Sequence, residues 1–262
     1  MSPQELWDYK DLTVALVEKD LKLRYRQTAL GVLWILLQPL MGAAIFSVVF
    51  HKVAGIPAPA GVPYFVLSYS GLLCWNAFNT SVTRASAAVL QNAQLISKVY
   101  FPRLVLPFSA GAGAAIDFFI GYAMLLIMLV MNGIPLTPLV FAAPIWCFVS
   151  IALGLGVGLF ASALMVSYRD VQYLLPVALQ FLMYASPVAY TLKQAVLNVP
   201  KPIAVMYKIN PLAGLIEVFR NTVTGQPADM GLALYAVAAT IIAFIAGAIF
   251  FARMERNFAD VI

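Results

Sequence analysis

An all-α membrane fold is the class this chain predicts, and three observations predict it. Hydrophobic residues make up 63% of the 262 and charged residues only 10%, where a soluble domain is roughly half apolar and a quarter charged. The mean hydropathy is +0.90. Six segments each hold the roughly 20 mostly apolar residues that a helix needs to cross a bilayer. Lastly, a basic cluster of Lys22, Arg24 and Arg26 runs straight into one of those segments, which carries Trp34 and Pro39. Cations stall at lipid headgroups while the chain behind them enters hydrocarbon, so the cluster marks a cytoplasmic membrane surface. So little charge cannot cover a water-facing surface, and residues 1–262 read as a single membrane domain.

Residues 1–28 alternate charges with Leu6, Tyr9, Leu12, Leu16, Val17 and Leu21, and carry Trp7 and Tyr25 as interfacial anchors. This pattern predicts an amphipathic helix lying on the cytoplasmic face, with a solvated tail as the alternative. Five acidic groups and no apolar core in this stretch speak against a cleavable signal peptide. The six spans fall at about 31–51, 63–83, 104–131, 139–166, 171–190 and 232–252. The third and fourth are long enough to tilt. Prolines 39, 107, 144, 176 and 187 lie inside spans, where neighbouring helices can satisfy the backbone groups they free. The fifth span is interrupted by Pro176, Gln180 and Pro187.

An even number of spans places both termini on one side. Eleven of the 16 Lys and Arg fall on that side, and five (Lys52, Lys193, Lys201, Lys208 and Arg220) fall on the other. The positive-inside bias therefore puts the termini in the cytoplasm, and the net charge of +5 is topological. It does not indicate a nucleic-acid partner, because no aromatic-interleaved basic surface accompanies it.

Between the second and third spans, residues 84–103 include Gln91-Asn-Ala-Gln-Leu-Ile-Ser-Lys-Val-Tyr-Phe-Pro-Arg103. Polar residues mixed with Leu95, Ile96, Val99, Tyr100 and Phe101 make this either a docking surface for a cytoplasmic partner or an ordinary interfacial loop. The next cytoplasmic connection, 167–172, is short and sets Arg169 and Asp170 at headgroup level. After residue 190, the apolar runs 203–207 and 211–224 are each too short to span, which predicts interfacial or re-entrant helices. Glu217 and Arg220 stand three apart, the spacing of a pair on one helix face, and suggest the outer mouth of a pathway.

Asp117 is the one acid placed deep in a span, between Gly113 and Gly121 on one helix face. It is either part of a translocation route or a packing residue bonded to an adjacent helix. Gly154 and Gly158 form a small-xxx-small pair that permits close helix approach. Cys74 and Cys147 lie inside spans and read as small buried hydrophobes. His51 is the single histidine, and the chain has no Gly-Lys pair. Metal clusters, Ser/His hydrolysis and a phosphate-cradling loop are thereby excluded, so active transport would need another subunit to supply energy. Aromatic residues crowd the second and fifth spans, and sugar rings stack on aromatic faces, so an aromatic-lined passage would suit a glycan.

Taken together, these segments resemble the membrane subunits of type-2 ABC exporters, in particular the polysaccharide branch that exports O-antigen, teichoic acid or capsule. The residues that carry the resemblance are the run from Asp20 through Trp34 with Gln38-Pro39-Leu40, Lys98-Val-Tyr-Phe-Pro-Arg103, Ser167-Tyr-Arg-Asp170, Ala185-Ser-Pro-Val188 and Asn210-Pro-Leu212. The resemblance implies a homodimeric permease bound to two cytoplasmic ATPase subunits, which hold the ATP and Mg; this chain itself would carry no cofactor and no metal. It implies an amphipathic helix within 1–28, a coupling helix over about 90–101 and outer re-entrant helices over 194–225. Leu95, Ile96, Lys98, Tyr100, Phe101 and Arg103, with Arg169 and Asp170, would contact the ATPase. Trp34, Tyr69, Trp75, Phe78 and Tyr184 would contact glycan, Glu217 and Arg220 would form an outer gate, and Lys22, Arg24 and Arg26 would gather a lipid-borne diphosphate. The substrate would be a lipid-linked glycan, with a small hydrophobic drug or other cargo as the alternative. A secondary transporter would instead need more ionisable groups at the midplane and an internal repeat.

Overall fold

The computed structural model describes residues 9–25, 31, 33–59, 61–96, 98–99, 101–197 and 199–255, without the side chains of Leu23, Arg24 and Tyr25. Every regular element among the described residues is helical. The chain runs through α1 (Lys10–Tyr25), then α2 (Leu33–Phe46), which continues as a π-helical stretch Ser47–Val53, and α3 (Tyr64–Gln91). A single turn, α4 (Ala93–Ile96), leads to α5 (Val105–Met131) and, through a 3₁₀ turn at Pro138–Ala142, to α6 (Ala143–Ser167). The outer portion follows as α7 (Val171–Tyr184), α8 (Leu192–Leu197), α9 (Lys201–Ile209) and α10 (Pro211–Thr224), and α11 (Met230–Met254) closes the described chain.

Four of these stretches are long and apolar enough to cross a membrane: Leu33–Val53, Val105–Met131, Pro138–Ser167 and Met230–Met254. A fifth is reached if α9 and α10, bent by 71° at Asn210, count as one span. The protein is therefore a multi-pass membrane protein. Two predicted spans take other forms. The segment expected at 63–83 continues as one 28-residue helix to Gln91, because no glycine or proline interrupts the chain between Gly71 and Pro102. The segment expected at 171–190 is helical for only 14 residues, about 21 Å of rise, and ends before Pro187.

The helix α3 is the axis of the bundle, packed against α2, α5, α6, α7 and α10. Enclosure by protein explains why this helix can be polar: Ser68, Ser70, Ser81 and Ser86 are buried on it, and Ser70, Ser81 and Ser86 return their hydroxyls to backbone carbonyls one turn back. The approach to α6 is set by missing side chains. A Cβ at Gly154 would lie 2.6 Å from the Phe78 carbonyl oxygen, and one at Gly158 would lie 2.7 Å from the Ala85 Cβ. Gly156, on the opposite side of α6, meets the Phe244 backbone at 2.7 Å. Phe160 lies against Phe250 at 4.5 Å between ring centres, so α6 is clasped between α3 and α11, and increasing numbers pair with increasing numbers. These three helices therefore run in the same direction. In contrast, Tyr69 donates to the Gly121 carbonyl at 3.0 Å and Arg84 meets Asp117, which sets α5 antiparallel to α3.

The carboxyl ends of α3, α6 and α11 thus share one face of the bundle with the start of α5. There the Arg103 backbone N–H donates to Glu255 Oε1 at 3.2 Å and its guanidinium to the Glu255 carbonyl at 2.6 Å. The apolar side of α1, with Tyr9, Leu12 and Leu16, rests on Phe101, Val105 and Leu106; α1 is seated on protein at the foot of α5. At the opposite face, α10 is capped by Asn210, whose side chain accepts from the Leu212 N–H, and closes on Gly225 at φ +69°. Asp229 caps α11 through the N–H groups of Gly231 and Leu232.

Candidate functional site

Three polar places interrupt this apolar bundle. The first begins where α7 stops. Residues 185–190 are irregular, and an irregular backbone inside an apolar protein must find donors and acceptors. Arg220, only 2% exposed, supplies the donors: Nη2 reaches the carbonyls of Pro187 and Val188 at 3.0 Å each, and Nη1 that of Tyr190 at 3.0 Å. Glu217 balances its charge at 3.2 Å and accepts from the Leu192 N–H at 3.2 Å. Tyr64 donates to the Ala189 carbonyl, and Asn210 Nδ2 to Ser186 Oγ at 2.9 Å. Gly71 makes room for this arrangement, since a Cβ there would fall 2.7 Å from Arg220 Nη2. Glu217 and Arg220 form the predicted pair, and within the protomer they act as a clamp on the 185–190 turn.

The second place lies in the half of the bundle nearer α1. Arg84, which the expected end of the span at 83 puts in cytoplasmic solvent, is inside α3 and pairs with Asp117 of α5 at 2.5 Å. Asp20 of α1 stands 3.8 Å from the other side of the guanidinium. Of the two readings open for Asp117, the structure gives the bonded one. Arg84 also separates two cavities. One, of about 190 Å³, lies toward α1 and includes Lys19, Asp20, Gln91 and Asn92 in its wall. The other, of about 280 Å³, lies between α2, α3 and α5 and includes Trp34, Gln38, Asn76, Asn79, Thr80 and Asp117. Sequence reasoning passed over this second cavity, although Asn76, Asn79 and Thr80 stand at the i, i+3, i+4 spacing of one helix face. What it lacked was the partner faces, from α2 and α5.

The third place is the end of the bundle where α3 and α6 finish and α5 begins. Where a coupling helix is expected over 90–101, the chain forms the single turn α4. Leu95 and Ile96 pack with Phe101 beneath α1, Lys98 and Val99 are exposed, and Tyr100 lies outside the described residues. Arg103 is tied to Glu255. Arg169 and Asp170 are exposed in the turn ahead of α7, on the same face because α3 and α6 run parallel. On α1, Lys22 is exposed and paired with Glu18 at 2.9 Å; the side chain of Arg24 and the whole of Arg26 lie outside the described residues.

The five rings expected to contact glycan do not form one row. Trp34 and Tyr184 are 52% and 56% exposed on the flanking helices α2 and α7. Tyr69, Trp75 and Phe78 are buried on α3, Tyr69 hydrogen-bonded to Gly121 and Trp75 tilted against Phe78 at 5.7 Å. Enclosure of α3 by five other helices is the reason: none of its faces is left open at those positions. Cys74 and Cys147 are buried free thiols, as expected, and Ser150 Oγ donates to the Cys74 carbonyl. Among the described residues, no group of His, Cys, Asp or Glu could hold a metal ion.

Comparison with known proteins adds a finding of another kind. A family model described as ABC-2 type transporter matches residues 11–224. Two proteins of Klebsiella pneumoniae, each named O-antigen export system permease protein RfbA, are 26% identical to the chain, covering 96% of it and 95% of their own length. A protein of the same name from Myxococcus xanthus is 28% identical, covering 97% of this chain and 96% of itself.

Proposed function

Because the chain belongs to the ABC-2 type transporter family, we propose that it is the membrane subunit of an ATP-driven exporter that carries a lipid-linked, O-antigen-like polysaccharide out of the cytoplasm. The observation that carries this reading is similarity over nearly the full length of both partners to proteins named for O-antigen export. The lack of a Gly-Lys loop and of a second histidine agrees with a subunit that breaks no bond itself and relies on a separate ATPase for nucleotide and Mg.

The working unit in this proposal is two copies of the chain on two cytoplasmic ATPase subunits in the inner membrane. Each copy crosses six times with both termini inside, α7 with the 185–190 turn serving as the fifth crossing and α9–α10 as an outer re-entrant pair. The charge asymmetry of the sequence and the parallel run of α3, α6 and α11 support this topology. The ATPase would grip Lys98, Val99, Arg169 and Asp170, which share one face and are exposed. Leu95, Ile96 and Phe101 would transmit the push into α1 and α5, against which they pack. A diphosphate-linked lipid would gather at Lys22, Arg24 and Arg26. The glycan would pass between the copies along α2 and α7, where Trp34 and Tyr184 offer open faces. The Arg220–Glu217 clamp would hold the outer end of α7 in shape during passage.

Deleting the gene and labelling surface polysaccharide tests the proposal. Loss of labelled surface glycan with build-up of lipid-linked glycan inside is expected; unchanged surface glycan overturns it.

A further inference from the structure

The cavity of about 280 Å³ between α2, α3 and α5 has a wall that suits one kind of ligand. Its described charges, Arg84 and Asp117, are paired with each other at 2.5 Å, and the Asp20 carboxylate stands 3.8 Å from the same guanidinium. Among the described residues, the rest of its polar wall is uncharged: Gln38, Asn76, Asn79 and Thr80. Three primary amides and a hydroxyl together offer paired donors and acceptors, and none of the four makes a side-chain hydrogen bond among the described residues. The backbone contributes as well. Pro39 lies inside α2 and has no N–H for the carbonyl of Ile35, one turn earlier, to accept. Both residues line the cavity.

Trp34 borders the same space with half its surface open. The indole face is electron-rich and receives polarised C–H edges. Alternating hydroxyls and C–H edges around a compact ring are the complement of this wall. Ordinary small-ligand pockets measure roughly 300–1,000 Å³, so at about 280 Å³ this cavity is of the size for one sugar ring, and its wall mixes polar groups with the apolar surfaces of Trp34, Ile35 and Pro39.

We propose that the cavity is a sugar-binding subsite, which holds one neutral sugar ring of the glycan at the inner half of the bundle through Gln38, Asn76, Asn79 and Thr80, with the ring face on Trp34. This rests on the glycan-export reading above and separates two tasks: the charged lipid end belongs to the basic cluster on and after α1, and the uncharged saccharide belongs here. Arg84 and Asp117 act as positioning residues, locking α3 to α5 so that the amides converge.

The test uses the whole permease in lipid nanodiscs, with glycan freed from its lipid and phosphate by mild acid as one probe and inorganic pyrophosphate as the other. Saturation-transfer NMR is expected to show contact with the glycan, and Asn76→Ala/Asn79→Ala to weaken that binding on the order of ten-fold. The similarly shaped Thr80→Val and Gln38→Met each produce a smaller loss and guard against misfolding of the double variant. In the deletion strain, wild-type protein restores surface glycan, whereas the double variant at equal membrane abundance restores several-fold less. Asn79→Gln recovers part of the loss. Equal restoration by the variants, absence of glycan contact, or saturable binding of pyrophosphate that depends on Asn76 and Asn79 overturns the subsite. A deletion that leaves surface glycan unchanged overturns the export reading, and the subsite with it.

Discussion

Arg220 shows how one side chain sets the shape of a segment it does not belong to. Its guanidinium reaches three backbone carbonyls of the 185–190 turn and the Glu217 carboxylate; a planar fork of donors is suited to this and an ammonium is not. Arg220→Met takes the guanidinium from those carbonyls and leaves the Glu217 carboxylate with the Leu192 N–H but no countercharge, a loss of about 3–5 kcal/mol for removing one half of a buried pair. The purified variant is expected to melt well below wild type in a thermal-shift measurement, and Arg220→Lys to fall between them; an unchanged melting temperature for Arg220→Met rejects the clamp. Arg84 and Asp117 form the corresponding pair at the inner half. Neutralising either alone removes the close ion pair that ties α3 to α5, so Arg84→Gln and Asp117→Asn are each expected to lower folded yield. The exchange Arg84→Asp/Asp117→Arg restores part of it, and a double-mutant cycle reads the coupling. The pairing of Glu217 with Arg220 was legible in the sequence because it is local, three residues apart on one helix. Arg84 with Asp117 was not, since nothing in the neighbourhood of either reports a partner 33 residues away.

Among elements, the closest contact is the clasp of α6 between α3 and α11. Gly154→Leu forces side-chain atoms into the Phe78 carbonyl, and Gly156→Leu into the Phe244 backbone. Overpacking of this kind costs about 1–3 kcal/mol or more where only backbone can yield. Both variants are expected to give aggregated or absent peaks in fluorescence-detected size-exclusion chromatography. Ala at Gly133, which nothing crowds, strains only the left-handed turn at φ +70° and serves as the control. The glycine spacing announced a close approach, yet not that alternate glycines serve opposite neighbours. Helix α3 carried the other lesson at this scale. Its polar content and Arg84 suggested a span ending at 83, because hydropathy measures suitability for lipid, and a helix wrapped in protein is not in lipid. At the cytoplasmic end, Lys98→Glu is expected to reduce ATPase capture in a detergent pull-down without changing melting temperature. Arg103→Glu is expected to lower both, since it also breaks the tie to Glu255.

The whole molecule is a polar-centred bundle with apolar flanks. The axis α3 carries buried serines, amides and an arginine, while α2, α7 and α11 turn large hydrophobic residues outward. In the proposed exporter, that division assigns the lipid end of the substrate to the cations beside α1 and the chain itself to open faces of α2 and α7. Substituting Lys22, Arg24 and Arg26 together with Gln is expected to cut export several-fold while membrane insertion and folding persist. Insertion persists because eight of the eleven cations that the sequence predicts on that side remain. Undiminished surface glycan at equal protein abundance rejects the lipid-gathering role.

The sequence by itself determined that the chain lives in a membrane and which exporter family it resembles, and it predicts which side its basic residues face. Each of these depends on composition, on short-range order or on motifs of a few residues, and such signals survive without knowledge of what touches what. Only the tertiary structure decided that Tyr69, Trp75 and Phe78 are buried while Trp34 and Tyr184 stay open, that Asp117 is paired, and that Gln38, Asn76, Asn79 and Thr80 face one cavity. Those outcomes depend on which helix faces meet, and that is set by close approaches at glycines and by ion pairs between residues far apart in the chain. An apolar or amide side chain looks the same in sequence whether the surface opposite it is lipid, protein or an open cavity.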